Sequence, residues 1–279
     1  MLRKIQTNRY EAYLASYRIP GITFSDNPEL PNSIRPVWTA LAAGASDAAM
    51  RNALAALSEQ RLFSAEEKAG LLVGLAAAKL EMGSTEDAWE TSRKALDLFP
   101  YQVAAHRIQI SVLASRRHYE ETYERIGALA EIDDPAVWDV AIDSREIALS
   151  KASLSWLTGQ WDSVAEHIAE AYPDGLTSMP DEIQEDSFRL ALYRNQPDEA
   201  ARAAALLIPR RGVAQADEML QTLVQGGWTS QALPLYQDAF GREPESELLR
   251  RRLVALCIKE GQLEEARRLT APGALRTAA

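Results

Sequence analysis

The sequence contains one cysteine, Cys257, and lacks features on which several functions depend. A single cysteine cannot form a disulfide within the chain, and it rules out a zinc site built from several cysteines. Glycine and proline are also scarce, at 14 and 13 among 279 residues. Aromatic and β-branched residues form no alternating runs, so no β-strand is predicted. Because Ala, Leu, Glu and Arg are abundant and favour helix, we expect an all-α protein.

Long apolar runs are missing as well. The longest, LLVGLAAAKL at residues 71–80, is far shorter than the roughly 20 residues that span a bilayer. The N-terminus, MLRKIQTNRYEAYLASYR, is charged throughout and has no apolar signal-peptide core. We therefore expect no integral membrane association, and we predict a cytoplasmic location.

Positive charge is outnumbered, with 30 Lys and Arg against 40 Asp and Glu and a formal net charge of −10. Residues 131–190 alone carry fourteen acidic side chains against three basic ones. Binding to a phosphate backbone needs a basic face, so no nucleic-acid partner is expected. We interpret the acidic segment as a solvated surface that keeps the protein soluble, although it could instead attract a basic partner segment.

Catalytic and cofactor motifs are also lacking. His106, His118 and His167 show no metal-binding spacing, and no phosphate-binding loop, dinucleotide fingerprint or nucleophile elbow occurs. We predict no catalytic, cofactor-binding or metal-binding residue and a non-enzymatic protein. Asp139 and Asp143 would lie four residues apart on a helix, which leaves an all-helical enzyme using paired carboxylates and a divalent metal as a less favoured alternative.

What the sequence does contain is an internal repeat with a period near 34 residues. Seven positions, which we name the turn residues, are separated by 39, 34, 42, 36, 32 and 34 residues. A small or turn-forming residue is common at these positions, and a small or β-branched residue follows five positions later. The turn residues are Gly44, Gly83, Arg117, Gly159, Asn195, Gly227 and Gly261, and the later positions are Ala49, Ala88, Thr122, Val164, Ala200, Ala232 and Ala266.

This spacing predicts a helix–turn–helix unit, in which we name the first helix A and the second helix B. Glycine at the turn can adopt a positive φ, acidic residues after it suit the start of a helix, and a later proline ends that helix. Each unit alone would expose an apolar face, so the units are expected to stack into a solenoid.

The stretches GSTEDAWETSRKALDLFP at residues 83–100 and GQLEEARRL at residues 261–269 resemble the tetratricopeptide repeat family. The resemblance covers about residues 30–275, with degenerate middle units. It implies an α-solenoid of about seven repeats in a right-handed superhelix, which binds protein partners along its concave surface of A helices.

Two domains are predicted: an N-terminal arm at residues 1–36 and a solenoid at residues 37–279. Within the arm, residues 1–18 place six apolar and aromatic residues roughly on one helical face and carry a charge of +3. Residues 20–36 hold four prolines and resemble an extended connector. The arm could fold back as a cap on the first repeat, or it could dock on a partner or a membrane surface.

The resemblance implies that function lies in the groove of A helices. Counting from the turn residues, we expect a protein or peptide partner to contact Arg107, Ser111, Trp156, Arg189, Tyr193, Gln221 and Arg251. The predicted function is a scaffold or adaptor that binds a peptide or helix. The main alternative is a regulatory or assembly subunit of a larger enzyme or secretion complex that docks through its arm. No pattern indicates the oligomeric state.

Overall fold

The computed structural model describes residues 29–59, 62–136, 138–139 and 142–271. These residues form fourteen α-helices and two short 3₁₀ turns, and none of them lies in a β-strand, which confirms the all-α prediction. The helices are α1 Arg35–Ala42, α2 Ser46–Ser58, α3 Ala65–Glu81, α4 Thr85–Leu98, α5 Val103–Ser115, α6 Tyr119–Ala130, α7 Ser144–Thr158, α8 Trp161–Ala171, α9 Asp181–Tyr193, α10 Pro197–Leu207, α11 Val213–Gln225, α12 Thr229–Arg242, α13 Glu247–Lys259 and α14 Leu263–Thr270.

The helices pair as seven consecutive hairpins, and every hairpin reverses direction at a predicted turn residue. All seven turn residues have a positive φ, including the two that are not glycine, Arg117 at 60° and Asn195 at 54°. Among the described residues only Gly175 shares this conformation. Because a positive φ is uncommon outside glycine, this agreement confirms the seven repeats and their register even where the pattern is degenerate.

The position five residues after each turn is buried in every B helix. Its side chain is at most 5% exposed in all seven hairpins, from Ala49 at 0% to Ala266 at 5%. Acidic residues lie in the first turn of six of the seven B helices, and in α4 they are Glu86 and Asp87. The first turn of α12 has none. The Glu86 carboxylate also lies 2.5 Å from the Arg116 guanidinium at the end of α5, so it links two neighbouring hairpins.

The chain divides into two compact units, a division that the repeat pattern does not predict. Unit 1 comprises residues Met1–Ala171 and contains the first four hairpins. Unit 2 comprises residues Tyr172–Ala279 and contains the last three. Each unit has its own apolar core.

In unit 1, two glycines let the first A helix approach the second. A Cβ atom at Gly74 of α3 would lie 2.5 Å from Cγ1 of Val37, and one at Gly70 would lie 2.6 Å from Cδ1 of Ile34. Ile34 and Leu30 are buried and precede α1. Packed structure therefore begins within the segment predicted as an arm, whose residues 1–28 lie outside the described residues.

In the connector between α6 and α7, Trp138 and Asp139 contact two A helices of unit 1. Trp138 is 4% exposed, and its indole would meet a Cβ at Gly70. The Asp139 carboxylate accepts hydrogen bonds from the backbone N–H groups of Val103, at 2.7 Å, and Ala104, at 3.3 Å. This connector therefore caps the start of α5.

Asp139 and Asp143 do not form the predicted pair on one helix. Asp139 lies in the connector, and Asp143 is the N-cap of α7, where its carboxylate accepts from the backbone N–H of Arg145 at 2.9 Å. The helical prediction was wrong because helix N-termini attract carboxylates at their unpaired N–H groups. Both acids instead hold the ends of helices.

We predict that Gly74→Ala lowers the free energy of unfolding by about 1–3 kcal/mol, because the added methyl group overpacks against Val37. Gly127→Ala is the matched control: Gly127 lies inside α6, and a Cβ there meets nothing within 4 Å. The control should be stabilised by about 0.5–1 kcal/mol. Urea titration followed by circular dichroism measures both changes, and equal effects would contradict the packing at Gly74.

Candidate partner-binding face

The predicted groove includes the side chains six and ten residues before each turn residue, which share one side of an A helix, together with Trp156 and Tyr193, which lie three and two residues before their turns. We name this surface the A-helix face. In unit 1 the residues six positions before the turn are 0–8% exposed. Of those ten positions before the turn, three are at most 5% exposed and Leu149 is half-buried. These positions are occupied by Trp38, Ala77, Ser111 and Ser153, and by Ile34, Val73, Arg107 and Leu149.

Helix α5 is buried on every side, which is unusual for a helix with polar residues. All residues from Val103 to Ala114 are buried, among them His106, Arg107 and Gln109 at 7%, 5% and 1% exposure. The sequence analysis did not predict this burial, because the mixture of apolar and polar side chains suggests a helix with one solvent-exposed side. The signal in retrospect is the weak amphipathicity of VAAHRIQISVLA, which fits a helix surrounded by protein.

Arg107 is tied to the next A helix by a bidentate ion pair. Its Nη1 and Nη2 atoms donate to Oε1 and Oε2 of Glu146 at 3.0 and 2.6 Å. The Arg107 side chain is 6% exposed and that of Glu146 is 28% exposed. This bidentate pair joins α5 to α7. It gives Arg107 a structural role, and its guanidinium is not exposed to solvent.

His106, which precedes Arg107 in the sequence, is also buried. Its Nε2 lies 2.9 Å from the carbonyl oxygen of Pro100, to which it donates. Burial lowers the pKa of the imidazole, the hydrogen bond to Pro100 opposes that shift, and the positive charge of Arg125 adds to it. A neutral imidazole in this position is a packing element of unit 1.

The other predicted residues of unit 1 are buried as well. Ser111 is 7% exposed, and Trp156 is 7% exposed and packs edge to face on Trp161 with the ring centroids 5.4 Å apart. Arg107, Ser111 and Trp156 thus share one side of unit 1, but that side is closed.

Unit 2 presents an open A-helix face. Tyr193 is 48% exposed, the Arg251 side chain is 77% exposed, and Arg189 and Gln221 are half-buried. Arg251 Nε donates to Glu247 Oε1 one helical turn away at 2.7 Å. The structure therefore brings these four predicted residues onto three A helices of one unit, where they remain accessible.

Arg189 belongs to a small charged cluster on this face. It pairs with Glu185 one turn earlier on α9, and Glu185 also pairs at 3.2 Å with Arg211, which follows α10. The shared Glu185 carboxylate therefore joins α9 to the segment that follows α10.

Gln221 takes part in a polar network that the sequence did not reveal. Gln221 Nε2 donates to the Tyr236 hydroxyl at 2.6 Å, and that hydroxyl donates to Asp217 Oδ1 at 2.8 Å. Burial raises the pKa of Tyr236 far above its usual value, so the phenol stays protonated. The Arg252 guanidinium lies 3.5 Å from Asp217. Counting along A helices could not find Tyr236, because it lies on a B helix.

The described residues contain no group of three or more His, Cys, Asp or Glu side chains placed to hold a metal ion. None of the described helices is both long enough and apolar enough to cross a membrane. Cys257 is buried in α13, and burial raises the pKa of its thiol.

These features define a helical-repeat protein built from A–B hairpins. Residues 223–278, which contain α12–α14 and the end of α11, match the tetratricopeptide repeat family. No curated protein matches the chain. The match supports the resemblance seen in the sequence, and repeats of this family generally mediate contacts between proteins.

We predict that Glu146→Ala lowers the free energy of unfolding by about 3 kcal/mol, because it leaves the buried Arg107 charge without its carboxylate. Joint replacement of Arg107 and Glu146 by methionine should restore most of this loss, since no buried charge remains. Thermal unfolding of the two variants is the measurement. A double variant as unstable as Glu146→Ala would contradict a role that depends on charge pairing.

The buried imidazole of His106 makes unit 1 sensitive to acid. In the unfolded chain this group titrates near its ordinary pKa of 6.5, and in the folded protein its pKa is lower. Its contribution to stability is therefore complete above about pH 6.5 and is lost as the pH falls through the folded value. His106→Gln should reduce the loss of melting temperature between about pH 7.5 and about pH 5. His118→Gln, at an exposed position, should retain it, and equal slopes for wild type and His106→Gln would refute the assignment.

Proposed function

We propose that this protein is a non-enzymatic interaction scaffold or adaptor that binds a peptide or helix of a partner on the A-helix face of unit 2. The observation that supports this most strongly is the contrast between the units. The face of unit 1 is buried, whereas the face of unit 2 leaves Tyr193 and Arg251 exposed beside Arg189 and Gln221.

The chemistry of this face favours a peptide with acidic and apolar side chains. Arg189 and Arg251 are suited to carboxylates, Tyr193 offers an aromatic surface, and Gln221 carries an amide that can bond to a peptide backbone. The present partners of the two arginines are glutamates on the same helices. Pairs near the surface contribute about 1 kcal/mol or less, so a partner carboxylate can replace them at little cost.

A cytoplasmic location and the absence of catalysis belong to the same proposal. The lone buried Cys257 suits a reducing compartment, and the two acids considered for metal catalysis serve as helix caps. A scaffold needs only a stable stack of hairpins and one accessible face.

The second candidate is a regulatory or assembly subunit of a larger enzyme or secretion complex that docks through residues 1–36. The amphipathic and aromatic pattern of residues 1–18 favours it. Replacing the apolar side chains of that pattern in the full chain would then abolish assembly while leaving the melting temperature unchanged.

Peptide selection tests the first candidate directly. A random peptide library is selected on the full chain, and the Kd of the selected peptides is measured for the wild type and for the double variant Tyr193→Ala, Arg251→Glu. We expect a loss of affinity of at least about tenfold, corresponding to roughly 1.4 kcal/mol. Both positions are exposed, so circular dichroism should be unchanged.

Arg267→Glu is the control, because it makes the same charge change at a 73% exposed position on the B helix α14. It should leave the Kd unchanged. Equal losses in the control and the double variant would mean that net charge alone governs binding. Peptides that bind the double variant as tightly as the wild type would place the site elsewhere.

A further inference from the structure

One arginine on the A helices of unit 2 is held differently from the rest. Helices α9, α11 and α13 carry four arginines, and three of them pair with a glutamate one helical turn earlier on the same helix. Those three are Arg189, Arg250 and Arg251. The fourth, Arg252, pairs instead with Asp217, which lies on a different helix.

The guanidinium of Arg252 uses only part of its hydrogen-bonding capacity. Its Nε lies 3.5 Å from Oδ1 of Asp217 on α11, and it forms no hydrogen bond with any residue in the described part of the chain. A guanidinium carries five N–H donors, and its two Nη atoms can hold both oxygens of one carboxylate. Because the Arg252 side chain is 45% exposed, these Nη donors are available to a partner.

Asp217 holds the Nε side of this guanidinium from a fixed position. It is 8% exposed and accepts a hydrogen bond from the hydroxyl of Tyr236 at 2.8 Å. Tyr236 is fully buried on α12, and its hydroxyl accepts from Gln221 Nε2 at 2.6 Å. The hydroxyl has one proton and gives it to Asp217, so Gln221 can only donate to it. Residues on two helices thus fix the carboxylate that orients Arg252.

We propose that Arg252 binds an aspartate or glutamate side chain of the partner peptide through its two Nη donors. The inference rests on the proposed function, because it places the peptide on the A-helix face of unit 2. Arg252 follows Arg251 on α13 and reaches Asp217, which lies on that face on α11. In the bound state one guanidinium lies between two carboxylates, that of Asp217 and that of the partner.

Arg252 is better suited to this role than Arg189 or Arg251. Each of those two arginines donates to a glutamate of its own helix, and the bond from Arg251 Nε to Glu247 Oε1 is 2.7 Å long. A partner carboxylate must displace that glutamate, whereas the Nη donors of Arg252 have no glutamate to displace. A guanidinium that is already oriented also loses less conformational freedom on binding.

This arrangement requires a carboxylate, and not an amide, at one position of the partner. A carboxylate presents two acceptor oxygens to the two Nη atoms, whereas an Asn or Gln side chain presents only one. The amide also lacks the negative charge that strengthens both hydrogen bonds. Arg252 therefore discriminates between side chains of nearly identical shape.

Amide replacement in the peptide, combined with substitution of Arg252, tests the proposal on the full chain. The tightest peptide selected on the wild type is synthesised with each Asp or Glu replaced in turn by Asn or Gln. Titration calorimetry gives the Kd of each peptide for the wild type and for Arg252→Gln. One replacement should weaken binding to the wild type at least about tenfold, and binding to Arg252→Gln less than about twofold. A selected peptide without such a position would overturn the proposal.

Arg250→Gln is the matched control, because it removes the same charge from the same helix while its partner is Glu247. It should retain the tenfold penalty of the amide. Loss of the penalty in this control as well would show that net charge alone matters and would overturn the assignment to Arg252.

Arg252→Lys separates paired hydrogen bonds from charge. Lysine keeps a positive charge beside Asp217 but lacks the two parallel Nη donors, so the unmodified peptide should bind at least about threefold more weakly. Because the ion pair with Asp217 is retained, this variant remains informative even if Arg252→Gln fails to fold. Binding as tight as that of the wild type would contradict the proposal.

Two further comparisons identify which claim fails. Amidation of the C-terminus shows whether the coupled carboxylate is terminal, and coupling there in place of a side chain would overturn the proposal. If the double variant Tyr193→Ala, Arg251→Glu binds the peptide as tightly as the wild type, the proposed function fails and the inference fails with it. If that variant binds weakly but no acidic side chain couples to Arg252, only the role of Arg252 is wrong.

Discussion

The structure depends on a reversal of the backbone that recurs about every 34 residues. At each of the seven turn residues the chain adopts a positive φ, which ends an A helix and starts a B helix within two residues. The small or β-branched side chain five residues later is buried in every hairpin, so the B helix can approach its neighbours closely. Each hairpin then has one apolar side that only another hairpin can cover, and this requirement drives stacking within each unit.

The repeated pattern accounts for most of what the sequence could predict. The turn positions, the burial five residues later and the acidic starts of six B helices all involve residues close together in the sequence, so their repeated spacing predicts them. Even Arg117 and Asn195, which lack the freedom of glycine, were located correctly by spacing alone.

Properties that depend on contacts between distant residues could not be predicted in this way. Arg107 was expected to face a partner, but its guanidinium forms an ion pair with Glu146, which lies 39 positions later on another helix. Asp139 was assigned to a helix because its neighbours permit one, whereas the free N–H groups at the start of α5 hold it in a connector. The repeat pattern also gives no indication that the chain divides into two units after Ala171.

The two units thus share one architecture and use their A-helix faces differently. In unit 1 the face combines apolar side chains with a buried ion pair and is closed. In unit 2 the same register positions carry Glu185 and Arg251, whose ion pairs lie nearer the surface, and Asp217, which is 8% exposed and joins Gln221 through Tyr236 in a polar network. Similar hairpins therefore present a buried A-helix face in one unit and a partly exposed one in the other.

The contrast between a closed and an open A-helix face is the central claim, and hydroxyl-radical footprinting of the intact chain measures it most directly. The account predicts rapid oxidation of Tyr193, which is 48% exposed, and strong protection of Trp156 and Trp38, which are 7% and 0% exposed. Indole is intrinsically reactive, so protection of these tryptophans can come only from burial. Oxidation of Trp156 as fast as that of Tyr193 in the folded protein would contradict the account.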